Sequence, residues 1–293
     1  MPELPEVETI KRGLKDLIIG LSIEKIIIKN HKSFLIDENT KELFLFNHKV
    51  LDVKRRAKLL MINLDSDYSL VFHLKMTGQL VYVNHDYRFG AGHPTDSLIH
   101  QLPDKSTRVI FIFNNKAKLF FNDQRKFGWI KIIPTVLLTD KNFFKNHGPE
   151  PLDALFSSDI LYQRLLKHPK SKIKAVLLNQ TVLSGLGNIY VDESLWMSKI
   201  NPLTTINQLN KKNIVMLHQS IQTVLNKSIS LGGSTDRNYV DAKGNKGSYL
   251  KFANVFRKEN QPCPRCSNLM VKQKIAGRGT HFCPNCQKRK TEK

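Results

Sequence analysis

The 293-residue chain has four cysteines, and they stand in two pairs, Cys263-Pro-Arg-Cys266 and Cys283-Pro-Asn-Cys286. No other feature constrains the fold as tightly. In a C-x2-C-x16-C-x2-C pattern each pair turns two thiolates toward one point, and two such knuckles joined by a hairpin build the tetrahedral sulfur site of a zinc ribbon. Four protein sulfurs leave no position for water, so a single Zn²⁺ held by Cys263, Cys266, Cys283 and Cys286 is expected to be structural, not catalytic. Such a site is anionic, and Arg265, Lys272, Lys274 and Arg278 are available to offset it. Disulfides are the alternative, disfavoured by an expected cytosolic location. Between the knuckles lies Ala276-Gly277-Arg278-Gly279-Thr280. Two glycines around an arginine suggest a hairpin tip that offers Arg278 to phosphate, with a solvated turn arginine as the plainer reading.

Charge points the same way. The chain holds 46 Lys and Arg against 25 Asp and Glu, a formal charge of +21, and residues 256–293 are its most basic part. A balance of that size favours a polyanionic partner, with nucleic acid first. An acidic membrane surface fits less well, because no basic amphipathic anchor helix stands out. No apolar run approaches the roughly 18 residues of a membrane span. The charged N-terminus lacks a signal-peptide core, which predicts a cytosolic protein.

Periodicity predicts an α+β chain in two main parts. Val7, Ile10, Leu14, Leu17 and Ile18 form one helical stripe over residues 3–18. Eight short β-branched and aromatic runs follow, at 23–29, 50–55, 59–64, 70–74, 80–83, 109–113, 118–122 and 129–133. A β-sandwich behind one helix is the expected architecture. Beyond Pro134 the patterning turns helical, at 159–167, 172–180, 189–197 and 211–230. Gly232-Gly233 ends the last helix, and the polar loop that follows is too long for a mere connector. The expected division is 1–134, a β-sandwich domain; 135–255, a helical DNA-binding domain with that loop; and 256–290, the ribbon.

Five stretches occur in order: PELPEVE at the start, HLKMTG at 73–78, NDQRKFG at 122–128, SGLGNIYVDESL at 184–195, and the cysteine module. Together they resemble the bacterial formamidopyrimidine-DNA glycosylases, base-excision enzymes for oxidised purines, over nearly the whole chain. The resemblance implies a catalytic set of Pro2, Glu3, Lys58 and Arg278, with Glu6 in support. It gives chemical sense to an N-terminal proline. An α-amino group has a pKa of about 7.7–8.0, so a useful fraction is unprotonated near neutrality and nucleophilic. A secondary amine attached to the sugar C1′ collapses to an iminium, which acidifies the C2′ hydrogens and permits strand cleavage. Met1 must first be removed, since otherwise the Pro2 nitrogen is an amide. Glu3 would shuttle protons. Glu3 and Glu6 also suit a helix N-terminus on dipole grounds, and the two readings are compatible.

The resemblance further implies contacts with double-stranded DNA. Met76 would fill the gap left by an extruded nucleotide, Arg125 would read the estranged cytosine, and Phe127 would wedge between base steps. His73 would support the site or lie near phosphate. Lys174, Asn188 and Arg278 would hold phosphates, Asn188 from the turn of a helix–two-turns–helix element. Ser234, Arg237 and Tyr239 lie where relatives cover the everted base. A monomer acting in the bacterial cytosol is expected. One departure stands out: residues 84–107 separate Met76 from Arg125 widely and read as an insertion that either lengthens a DNA-side loop or, the favoured reading, decorates the surface. Two rivals are an endonuclease VIII-like glycosylase for oxidised pyrimidines and a non-enzymatic zinc-ribbon protein that binds nucleic acid. Leu4 and the intact Arg125–Phe127 motif argue against the first, and the unexplained N-terminus against the second.

Overall fold

The structure, a computed structural model, describes residues 1–93, 95–139, 143–234 and 249–289. The chain divides into two compact units, one of residues 1–145 and 229–249, the other of 146–228 and 250–293. The first unit is thus completed by a segment that follows the helices of the second.

Helix α1, Leu4–Ile18, opens the first unit. Its start is specified locally. Glu3 is the N-cap of a capping box with Glu6, and Pro5 sits in the first turn, where a missing N–H costs nothing. Val7, Ile10, Leu14 and Ile18 are fully buried along one stripe. Each such side chain contributes about 1.5–3 kcal/mol of burial.

The strands form two antiparallel sheets. The larger takes β1 (Ile23–Ile28), β5 (Gly78–Val83), β6 (Arg88–Gly92), β7 (Thr107–Phe113) and β8 (Lys118–Asp123) in the order β1-β7-β8-β5-β6. The smaller is β2 (Val50–Arg56), β3 (Leu59–Leu64), β4 (Tyr68–His73) and β9 (Trp129–Pro134), in the order β2-β3-β4-β9. Phe72 of the smaller sheet lies 5.9 Å from Phe111 and 6.2 Å from Phe121 of the larger, both edge-on. These rings bind the two sheets into one core with the apolar stripe of α1. Two short helices, α2 (Glu38–Phe44) and α3 (Thr135–Thr139), complete the unit.

Residues 84–107 are not the surface decoration expected from the sequence. They supply β6, which pairs with β5, and the fully buried Phe89 of the core. The ring of Phe89 lies on α1 at Gly13, where an added Cβ would come within 2.2 Å of it. Glycine at position 13 is what allows the helix and the edge strand to approach.

The second unit is built from α4 (Ser158–Leu166), α5 (Ile173–Leu178), α6 (Asn188–Met197) and most of α7 (Lys211–Ser230), with a hairpin of β10 (Val271–Ile275) and β11 (Arg278–Phe282). Gln180 pins the two turns between α5 and α6. Its amide nitrogen donates to Leu178 O and Leu186 O, and its oxygen accepts from Gly185 N. Helix α6 carries two buried carboxylates, Asp192 and Glu193, that tie later segments to it.

Candidate active site and nucleic-acid interface

At the start of α1, Pro2, Glu3 and Glu6 are all buried, Glu3 to 3% exposure and Glu6 to 5%. Glu6 acts as a strut. Its Oε2 accepts from Glu3 N at 2.7 Å, and its Oε1 accepts from Ser234 N at 2.8 Å. Ser234 therefore reaches the N-terminal group through its backbone. Gly233 has φ +85°, and a Cβ there would lie 3.0 Å from Glu6 Oε1, so glycine serves both the turn and the contact. Arg237 and Tyr239 lie outside the described residues.

Lys58, 7% exposed, stands in the two-residue connection between β2 and β3, next to Ala57 at φ +54°. His93, which the sequence reading passed over, joins this surroundings electrostatically. Burial holds its pKa below the usual 6.5, repulsion from the N-terminal amino group adds to that, and Asp123 opposes it.

Two loops of the same unit present the expected DNA-side residues. Met76, half-buried, lies between β4 and β5, and Arg125 and Phe127 lie between β8 and β9. Phe127 is 54% exposed, and the Arg125 guanidinium sits 4.8 Å over its ring. A large aromatic held in water at a loop tip is costly to a free protein and fitting for a wedge. Asp123, fully buried, organises both loops. It accepts from the Thr77 hydroxyl, from Gly128 N at 2.7 Å and from Arg125 N at 3.2 Å. Thr77 Oγ1 in turn accepts from Arg125 N at 3.0 Å. His73 closes β4: its Nδ1 accepts from Lys75 N at 3.0 Å, and its ring leans on Trp129. A cleft lined by Ser97, Asp104, Lys105, Ser106, Arg108 and Gln124 adjoins the Arg125 loop.

In the second unit two expectations are revised. Lys174 is fully buried, with Nζ 2.5 Å from Asp192 Oδ1, so in this structure it is sealed from phosphate. The spacing that placed it on α5 could not reveal that the side chain turns inward to meet a carboxylate of α6. Arg278 is exposed but is not the hairpin tip. The turn is Ala276-Gly277, with φ of 51° and 73°, and Arg278 opens β11 opposite Ile275. Asn188, the first residue of α6, donates through Nδ2 to Gly279 O at 2.9 Å, which fixes the backbone beside Arg278. Asp192 Oδ2 accepts from His281 N at 3.0 Å, and Glu193 accepts from the backbone N–H of Asn254, Val255 and Phe256. Arg265 stacks 4.0 Å over Trp196 and donates to its carbonyl, seating the first knuckle on α6.

The cysteine sulfurs of both knuckles all lie within 4.8 Å of one another, with Cys263–Cys286 at 3.8 Å and Cys266–Cys283 at 3.5 Å. Tetrahedral zinc with Zn–S near 2.3 Å sets sulfurs about 3.8 Å apart, so the donor set fits the ion. These separations are far from a disulfide bond of about 2.05 Å. The four thiols do not ionise alike. Hydrogen bonding from Asn285 and Asn268 brings Cys266 down to about 6, whereas burial and then the neighbouring sulfurs push Cys286 up to about 12.

A β-sandwich entered by a capped helix, a helix–two-turns–helix unit and a four-cysteine ribbon define a zinc-finger DNA-repair glycosylase. Residues 1–130 match the formamidopyrimidine-DNA glycosylase N-terminal domain, 147–240 its H2TH domain, and 260–289 the zinc finger found in FPG and IleRS. The chain is 38% identical to the formamidopyrimidine-DNA glycosylase of Pelotomaculum thermopropionicum, over 98% of this chain and 99% of that protein. Among solved structures, Lactococcus lactis Fpg with DNA containing an abasic site matches with a TM-score of 0.86 and 36% identity, over 98% of this chain and 100% of that one. A mutant of the same protein with Fapy-dG DNA matches equally well, at a TM-score of 0.86 and 36% identity over the same shares. The chain belongs to the formamidopyrimidine-DNA glycosylase family.

Thr77, Asp123, Glu8, Arg55, Asp192 and Glu193 were not singled out from the sequence, although all but Arg55 lie inside the motifs that carried the resemblance. Their signal is a short polar or acidic side chain inside a motif, which reads as solvated until its burial is known.

Proposed function

We propose that this protein is a bifunctional base-excision repair enzyme that removes oxidised purines, 8-oxoguanine and formamidopyrimidines, from duplex DNA and then cuts the strand. The observation that carries the reading is the N-terminal group: Glu3 and Glu6 are buried beside Pro2, and Glu6 uses both oxygens to hold the helix start and the Ser234 backbone. Carboxylates so placed are poised to act on a neighbouring amine rather than to solvate a surface.

After Met1 is removed, the Pro2 nitrogen attacks the sugar C1′, and the bond from C1′ to the base breaks. The base leaves with a proton. Glu3 protonates the ring oxygen as the C1′–O bond opens, leaving an iminium between Pro2 and C1′. Loss of a C2′ proton expels the 3′ phosphate, and a second elimination expels the 5′ phosphate. Lys58 contacts the backbone beside the lesion and assists proton transfer. Arg278 engages phosphate from the ribbon. Met76 and Phe127 fill and wedge the stack while Arg125 reads the unpaired cytosine. Cys263, Cys266, Cys283 and Cys286 would hold one Zn²⁺, whose contribution is to fold the finger. The protein acts as a monomer in the bacterial cytosol.

The test is incision of a duplex bearing 8-oxoguanine opposite cytosine by Met-processed protein, with borohydride trapping of the covalent intermediate. Retention of Met1, which leaves the Pro2 nitrogen an amide, is expected to abolish trapping. Undiminished trapping in that form refutes the assignment of the nucleophile, and a preference for thymine glycol refutes the substrate.

A further inference from the structure

One buried ion pair joins α1 to the β2–β3 turn. Glu8 is 7% exposed, and the Arg55 side chain 9%. Arg55 Nε donates to Glu8 Oε2 at 2.9 Å, while Glu8 Oε1 accepts from Lys11 Nζ and Arg12 Nε, both at 3.0 Å. The guanidinium has a second engagement. Its Nη1 donates to Ala57 O at 3.1 Å. That carbonyl belongs to the peptide group between Ala57 and Lys58, so the bond fixes the plane from which Lys58 departs. Ala57 also needs holding. Its φ of +54° lies in the left-handed region, which glycine enters freely and alanine does not. Ala57 and Lys58 make up the entire connection between the paired residues Arg56 and Leu59, so no other loop residue can share the constraint.

We propose that Glu8 and Arg55 are positioning residues that set Lys58 relative to the N-terminal Pro2 and Glu3. One edge of a planar cation lies on the helix that carries the nucleophile, and the other on the carbonyl that orients the lysine. This rests on the function proposed above. Neither residue touches substrate; both act through the turn. Docking of α1 on β2 is a different matter, because an exposed pair, Lys15 Nζ to Asp52 Oδ1 at 3.0 Å, also spans those elements and does not reach the turn.

The experiment compares single-turnover base release and borohydride trapping on an 8-oxoguanine duplex for wild type, Arg55→Lys, Glu8→Gln, Lys15→Met and the double variant Arg55→Lys/Ala57→Gly. Affinity for a duplex with an uncleavable abasic analogue and the thermal midpoint are measured alongside. Lysine keeps the charge but cannot hold carboxylate and carbonyl with one rigid fork. Arg55→Lys and Glu8→Gln are expected to slow the single-turnover rate by about tenfold or more, since a misplacement near 1 Å is that costly. Affinity should stay near wild type and every variant should remain folded at the assay temperature, Lys15→Met should keep the wild-type rate, and Ala57→Gly should restore part of the loss. Wild-type rates in Arg55→Lys and Glu8→Gln overturn the inference. So does a loss that merely tracks unfolding, or one that Lys15→Met reproduces. Should Arg55→Lys not fold, Glu8→Gln decides alone, because it keeps shape and acceptor. A wild type inert on oxidised purine and pyrimidine duplexes overturns the proposed function itself, an outcome distinct from the others.

Discussion

Asp123 at the end of β8 accepts the hydroxyl hydrogen bond of Thr77, just before β5, although the two stand 46 positions apart in the chain. Through that contact the loop bearing Met76 and the loop bearing Arg125 and Phe127 become one rigid piece, because the same carboxylate also receives Arg125 N and Gly128 N. Asp123→Ala would take this acceptor from the Thr77 hydroxyl and Gly128 N, at about 1–3 kcal/mol each, while Arg125 N keeps Thr77 Oγ1. The expected result is a loss of about 3 kcal/mol in unfolding free energy. Affinity for lesion duplex should fall more than affinity for undamaged duplex, measured side by side by fluorescence anisotropy. Equal losses on the two duplexes would show that the clamp serves stability alone.

Gly13→Ala sets two effects against each other. Alanine gains about 1 kcal/mol over glycine in a helix interior. The added methyl would meet the Phe89 ring at 2.2 Å, and that ring is fully buried in the core. Overpacking of this kind costs about 1–3 kcal/mol. Net destabilisation is expected, visible as a lower urea midpoint. A rise in the midpoint would show that β6 shifts away from α1 freely.

Glu8 gives a pH dependence with a definite sign. Burial raises its pKa, but hydrogen bonds from Arg55 and Lys11 outweigh burial and hold it below the usual 4.5. A carboxylate with a depressed folded pKa contributes stability above its unfolded value, and that contribution is lost as pH falls through the folded one. The stability gap between wild type and Glu8→Gln should therefore be widest near neutrality and narrow as pH falls below the usual 4.5 toward the lower folded value. Thermal unfolding at several pH values checks this, and a gap that widens on acidification contradicts it.

Lys174 and Asp192 form a fully buried pair. Removing the lysine alone strands a charge, so Lys174→Met should cost about 3–5 kcal/mol. Lys174→Met with Asp192→Asn should recover much of that. A phosphate ligand would behave differently: its loss would lower the slope of log affinity against log salt by about one. The slope of the folded double variant is expected to match wild type.

Zinc removal is expected to act on the second unit alone. Elemental analysis should find one Zn²⁺ per chain, and a strong chelator should abolish duplex binding by melting the ribbon that carries Arg278. The near-ultraviolet signal of the sandwich aromatics Phe72, Phe111 and Phe121 should survive, because they belong to the other unit. Full duplex affinity after complete metal release would remove the finger from the interface.

Much of this was legible in the sequence, for identifiable reasons. Helix α1 announces itself through period and cap, and the strands Leu59–Leu64 and Lys118–Asp123 through dense β-branched and aromatic residues. The sulfur site is fixed by spacing alone. What stayed hidden depends on direction rather than on residue type. Arg88–Gly92 contains two glycines and reads as loop, yet one phenylalanine with a glycine waiting on α1 makes it a core strand. Lys174 and Asp123 look like surface charge and turn residue until burial is known. Lys174 points inward because Asp192 is there to meet it, a relation between helices that no local window contains.

The hydrogen bond from Ser234 to Glu6 spans 228 residues of chain. A polypeptide still emerging from the ribosome can fold its first sheets, but it cannot finish the environment of its own first residues until nearly four-fifths of it has been synthesised. If the proposed function holds, chemistry at the N-terminus is withheld from truncated products, and nascent fragments that bind DNA through their basic surface would do so without the completed means to cut it.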